Sequence, residues 1–111
     1  MKWRAQLYEN SRGSCPLETF MTNLSPKEKA KVLWTIDLLE VVGPELREPY
    51  TKPLAGKLWE LRAKSIRIFY FLYRRNIILL HGYRKTTQKT PKSEIELALK
   101  LMGDYMRRET K

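Results

Sequence analysis

Lysine and arginine supply 22 of the 111 residues and aspartate and glutamate only 12, a formal net charge of +10, which favours a polyanionic partner such as nucleic acid, or an acidic protein surface. A chain of this length with 42% hydrophobic residues supports one domain with a modest core. No apolar run approaches the roughly 20 residues of a membrane span, and a single cysteine with a single histidine argues against an internal disulfide and a zinc site. The opening MKWRAQLYEN lacks the apolar centre of a signal peptide, so a cytoplasmic location is expected.

In chain order, Trp3 to Glu9 alternates loosely, with Trp3, Ala5 and Leu7 against Arg4, Gln6 and Tyr8, and predicts a strand. A loop follows over Asn10–Ser14. Cys15-Pro16-Leu17-Glu18 opens a short helix, with proline at its first position, Glu18 at the positive end of the dipole, and Phe20, Met21 and Leu24 on its apolar edge. Cys15 reads as a packing or capping residue. Ser25-Pro26-Lys27-Glu28 is a capping box. The helix it opens carries Val32, Leu33, Ile36 and Leu39 and stops at Gly43-Pro44. Glu45 to Gly56 reads as an extended link, and Trp34 and Trp59 as core.

Three strands are predicted next, at Leu58–Ala63, Ile66–Tyr73 and Ile77–Tyr83, joined by hairpins at Lys64-Ser65 and Arg74–Asn76. A last helix follows, with Thr90 as cap, Pro91 at its first position, and Ile95, Ala98, Leu99, Met102 and Tyr105 as inner stripe. The order β-α-α-β-β-β-α predicts a small single α+β domain over 1–111, a mostly antiparallel sheet with helices packed mainly on one face.

The excess charge is concentrated. Lys57 to Lys92 holds ten basic residues and one acid, Glu60. A two-residue turn at Lys64-Ser65 sets Arg62 opposite Arg67. A three-residue turn at Arg74–Asn76 sets Phe69 opposite His81 and Arg67 opposite Tyr83. Glu60, Arg62, Arg67, His81 and Tyr83 then share one face. Trp59, Leu61, Ile68, Tyr70, Leu72, Ile78 and Leu80 share the face that packs on helices. A one-residue change in the second turn brings Arg84 to the first face in place of Tyr83. Two arginines face to face repel, and a phosphate between them removes the repulsion. The bland alternative is a set of solvated charges partly neutralised by Glu60. Tyr83 either stacks on a base or fills the sheet edge.

The blocks KLWELR, IRIFYF and ILLHGYRKTTQKTP, with SPKEKAK, GPELREPYTKPLAGKLWELR and EIELALKLMGDYMRR around them, resemble the RelE/ParE superfamily, in particular its HigB-like, phage Gp49-like branch. The resemblance covers almost the whole chain. It implies a toxin of a type II toxin–antitoxin pair, an endoribonuclease that cuts translated mRNA on the ribosome without metal or other cofactor. Its implied partners are the ribosome, mRNA and a helix-turn-helix, HigA-like antitoxin, in a complex such as a heterotetramer. By position, Arg67 matches the arginine that contacts the scissile phosphate. Arg84 or Lys85 matches a late basic residue near the same phosphate, and Lys57 a basic residue at the start of a strand. The sequence departs from the pattern in its short AKSI hairpin and in Thr86, where many relatives have lysine.

RNA supplies its own nucleophile, the 2′-OH. The chain must take that proton, stabilise a five-coordinate phosphate and protonate the leaving 5′-oxygen. Arg62 and Arg67 fit charge stabilisation. Candidate bases are Glu60, His81, or a lysine with lowered pKa, Lys57 or Lys85; Arg84 or Lys85 would serve the leaving group. RNA contacts would come from Tyr83, Arg74, Arg75, Lys64, Lys89 and Thr86. Two other classes stay open: a ParE-like gyrase inhibitor and a non-catalytic RNA-binding protein.

Overall fold

A computed structural model describes residues 2–110. The elements are β1 (Arg4–Leu7), α1 (Pro16–Met21), α2 (Pro26–Val42), β2 (Thr51–Ala55), β3 (Leu58–Ala63), β4 (Ile66–Tyr73), β5 (Asn76–Arg84) and α3 (Lys92–Glu109). The sheet order is β1-β5-β4-β3-β2, with β1 parallel to β5 and all other pairs antiparallel. The expected α+β architecture with a mostly antiparallel sheet is present, with one more strand than predicted. Residues 51–55, read as an extended link, pair with β3 as β2. Pro53 donates nothing to a ladder, which an edge strand tolerates.

The helices divide between the two faces. Leu17 and Phe20 of α1 and Val32, Ile36 and Leu39 of α2 pack with Leu61, Ile68, Tyr70, Ile77 and Leu79 of the sheet. The capping box that starts α2 is formed: the Glu28 amide donates to Ser25 Oγ and the Ser25 amide to Glu28 Oε1, at 3.2 and 2.9 Å. On the opposite face α3 lays Ala98 and Tyr105 against Leu58, Phe69, Phe71, Ile78 and Leu80, with Ile95, Leu101 and Met102 at the margin. Two helices therefore cover one face, as expected, and α3 covers the other. Burying each large aliphatic side chain in these layers contributes about 1.5–3 kcal/mol.

Ile78 and Leu80 were expected on the α1/α2 face and lie against α3 instead. The second hairpin is a two-residue turn, Arg74-Arg75, with both residues at positive φ (49° and 68°), and it pairs Tyr73 with Asn76. That shifts the predicted register by one at the turn and turns Ile78 over. A bulge between Phe69 and Tyr70 in the pairing then restores it, so Phe69 pairs with His81 and Arg67 with Tyr83 as expected. The extra residue, Leu80, stays on the same side as its neighbour His81.

Three helix positions also differ from expectation. Leu33, grouped with the apolar residues of α2, and Trp34, predicted as core, are 55% and 50% exposed on the outer side of that helix, and Leu99 on α3 is exposed while Leu101 takes the inner position. Trp59 is half-buried, stacked with Tyr70. Thr90 does not cap α3: Pro91 occupies the cap position, and the Thr90 hydroxyl turns to the sheet.

Candidate RNA-binding cleft

β3 and β4 bring the two arginines side by side where the sheet meets the Lys64-Ser65 hairpin. Arg62 pairs directly with Arg67, and Glu60 lies one step back on the same face, opposite Phe69. The Glu60 side chain is fully buried. Its carboxyl takes four neighbours: Arg62 Nε at 3.4 Å, Arg67 Nε at 3.7 Å, the Thr90 hydroxyl at 2.8 Å and the Tyr83 hydroxyl at 3.5 Å. A lone acid under two guanidiniums offsets part of their mutual repulsion, and it is the one acid in a strongly basic stretch. Arg67 Nη1 donates to the carbonyls of Lys64 and Ile66, which ties the side chain to the hairpin, while its buried Nε makes no hydrogen bond within the chain. Burial pushes the Arg67 guanidinium below its ordinary pKa; Glu60 opposes the shift and Arg62 adds to it. Arg62 also reaches Glu48 at 3.8 Å.

Two clefts open on either side of this pair. One, of about 660 Å³, is lined by Lys64, Ser65, Arg67, Lys85, Thr86, Thr87 and Gln88. The other, of about 370 Å³, is lined by Lys31, Pro49, Tyr50, Arg62, Lys64 and Arg67. Lys64 and Arg67 belong to both, so the two form one groove across the hairpin; among the described residues its lining holds no acid, and Glu48 stands at its margin against Arg62. An arginine pair with lysines on either side can hold a phosphodiester chain and stabilise charge developing on a phosphate. Sequence reasoning did not anticipate Lys31 or Tyr50 here. Both lie outside the basic stretch of residues 57–92 that the sequence marks out.

The late basic pair separates. Arg84 binds Glu28 of α2, whose carboxyl therefore both caps that helix and holds the end of β5; Arg84 points away from the groove. Lys85 faces it: the Lys85 amide donates to the Ser65 carbonyl at 2.7 Å, and the residue lines the larger cleft beside Arg67. Partial desolvation lowers the Lys85 pKa, and the positive charge of Arg67 lowers it further. Lys64 and Thr86 line the groove, and Lys89 is exposed on the loop that follows.

Other expected site residues lie apart. His81 is 5% exposed under the first turn of α3, with Nε2 3.0 Å from Glu94 Oε1 and its ring against Phe69. Burial lowers its pKa and Glu94 partly restores it. Glu60 and His81, both candidate bases, thus stand behind the groove. Tyr83 fills the sheet: 8% exposed, it stacks on Phe69 at 5.6 Å. Burial raises its pKa. Lys57 is exposed at the far end of β3, five residues and about 17 Å from Arg62. Arg74 and Arg75 form the tip of the opposite hairpin, Arg74 lying seven residues along the strand direction and about 24 Å from Arg67. They pack over the rings of Tyr73 and Trp3. Among the described residues no group of three or more His, Cys, Asp or Glu side chains is placed to hold a metal ion.

Comparison with known proteins gives two findings. The profile of the phage-derived Gp49-like protein family matches residues 19–103, which contain the whole groove. In structure the chain is similar to an archaeal RelE–RelB complex from Pyrococcus horikoshii OT3: the TM-score is 0.61 at 20% sequence identity, over 77% of this chain and 97% of that one. No curated protein matches the sequence. With more than half its length inside the family profile, the chain belongs to the phage-derived Gp49-like family, and it has the fold of RelE.

Proposed function

We propose that this chain is the toxin of a type II toxin–antitoxin system, and that it acts as an endoribonuclease on mRNA held in the ribosome. The observation that carries the reading is the Arg62–Arg67 pair at the centre of a groove lined by basic and neutral residues, pinned from behind by Glu60. The Gp49-like family and the RelE fold support it.

In this reading Arg67, with Arg62 beside it, binds the scissile phosphate and tightens on it as charge develops. Lys85 takes the 2′-OH proton, because its pKa is lowered and it faces the same cleft. The 2′-oxygen attacks phosphorus, the bond from phosphorus to the 5′-oxygen breaks, and the leaving 5′-oxygen takes its proton from water in the open cleft. A groove of guanidinium, ammonium, hydroxyl and amide groups stabilises this phosphate without a metal ion. Glu60 and His81 are positioning residues: Glu60 aims the arginines, and His81 holds the first turn of α3 through Glu94. Lys64 and Thr86 guide the chain to either side, and Lys89, Arg74 and Arg75 contact the ribosome. Among the described residues that line the groove there is no histidine or carboxylate to pair with Lys85 as acid, so the enzyme is slow alone, and the ribosome contributes by holding the message in line. The partner is an antitoxin of the helix-turn-helix kind.

Purified chain should cut an mRNA on programmed ribosomes far faster than the same mRNA free in solution, leaving a 2′,3′-cyclic phosphate. Equal cutting of free RNA would remove the ribosome from the account. Intact mRNA together with inhibited DNA gyrase would replace the nuclease by a gyrase inhibitor. Intact mRNA with RNA still bound would leave only a binding protein.

A further inference from the structure

Trp34 is half exposed on α2, so that much of its indole faces solvent. It does not stand alone. Its ring centroid lies 6.1 Å from that of Tyr50, the planes inclined at 55°, and the Lys31 ammonium sits 4.4 Å over its face. Tyr50 and Lys31 both line the smaller cleft beside Arg62, and the Tyr50 carbonyl accepts the Arg62 amide at 2.7 Å. An aromatic ledge is thereby fixed to the strand that carries one of the two groove arginines.

Resting on the nuclease reading, we infer that this ledge is a stacking site for one nucleobase of single-stranded RNA, next to the phosphate held by Arg62 and Arg67. The charge of the groove selects the occupant. Lys31, Arg62, Lys64 and Arg67 line the smaller cleft with no acid among them, which suits a phosphate backbone, and the aromatic rings beside it suit the bases that backbone carries. At 6.1 Å and 55° the two rings are too close and too inclined to admit a base between them. The base therefore stacks on the outer face of one ring. Lys31 supplies the exchange: an arriving phosphate draws its ammonium off the indole, and the released face takes the base. Because every base has a π-face, the ledge fixes the position of the message more than its sequence.

The test is single-turnover cutting on programmed ribosomes by the parent, Trp34→Ala, Trp34→Phe and Leu33→Ala, each with an intact message and with messages abasic at single nucleotides flanking the cut. The expected result is a loss of about tenfold for Trp34→Ala, nearly full activity for Trp34→Phe, and no loss for Leu33→Ala, which is exposed on the same helix. One abasic position should slow the parent as much as Trp34→Ala does, and should slow Trp34→Ala no further. Parent-rate cutting by Trp34→Ala overturns the ledge and leaves the nuclease standing. Equal losses from Leu33→Ala and Trp34→Ala overturn it in favour of an apolar protein-docking face. If the parent cuts nothing, the nuclease reading fails. The ledge is then decided by affinity for a 2′-O-methyl oligonucleotide with and without the abasic position: discrimination by the parent and none by Trp34→Ala keeps it, and equal binding overturns it.

Discussion

Lys85 and Arg84 are adjacent in sequence and opposite in role, because alternation along the end of β5 sends one to α2 and the next to the groove. Sequence alone left that offset open, since it depends on the second hairpin. The burial of Glu60 had a visible signal, the one acid in a run of basic residues, but its depth did not. Whether a charged strand residue is covered is decided by what crosses above it, here Thr90 and the start of α3. If Lys85 is the base, its neutral form does the work, and a pKa lowered from the usual value near 10.4 enlarges that form at neutral pH. The single-turnover rate should climb about tenfold per pH unit in the acidic range and level off below the ordinary lysine pKa. Lys85→Arg should remove the climb. A pH-independent rate in the parent would take Lys85 out of the mechanism.

At the scale of elements, the hairpin Arg74-Arg75 and the bulge at Leu80 are coupled. The turn has no glycine, although both residues take left-handed φ, so nothing in its composition marks it as a two-residue turn. The sequence placed the groove end of the sheet correctly and the turn end one residue out; the bulge accounts for both. β2 was hidden by its own proline, and Trp34 by the assumption that a large aromatic on a helix faces inward. Gly82 shows how closely α1 approaches β5: a Cβ there would lie 3.0 Å from both the Arg67 carbonyl and the Phe20 ring. Gly82→Ala should destabilise the fold by about 1–3 kcal/mol in urea denaturation and slow cutting by moving the Arg67 backbone. Parent stability would mean that α1 gives way freely. The α3–β5 joint should respond to pH. Burial lowers the His81 pKa in the folded chain, against Glu94, so the unfolded chain takes up the proton more readily. Its contribution is present above about pH 6.5 and is lost as pH falls below that value. Denaturation at pH 7.5 and 5 should show the fall, and His81→Gln should reduce it. An unchanged slope in His81→Gln would assign the acid sensitivity to other groups.

Over the whole molecule, charge is arranged along the length of the sheet, with the groove at one hairpin and Arg74 and Arg75 at the other. Charges about 24 Å apart along extended strands lie beyond one Debye length, roughly 8 Å in physiological salt, and act separately. Arg74→Gln and Arg75→Gln should weaken ribosome binding and flatten its salt dependence, while leaving the rate at saturating enzyme unchanged. A slowed rate at saturation would bring that hairpin into the active site. Arg67 should behave in the opposite way. Its guanidinium is held by Glu60 and the hairpin carbonyls, and a lysine ammonium has too few donors to keep those contacts and bind a phosphate as the proposed role requires. The most direct measurement is therefore single-turnover cutting of mRNA on programmed ribosomes at saturating Arg67→Ala and Arg67→Lys. The account predicts a loss of about a hundredfold or more for Arg67→Ala, partial recovery for Arg67→Lys, and ribosome affinity close to the parent for both. Cutting by Arg67→Ala at the parent rate would contradict it, and would move the active site out of this groove.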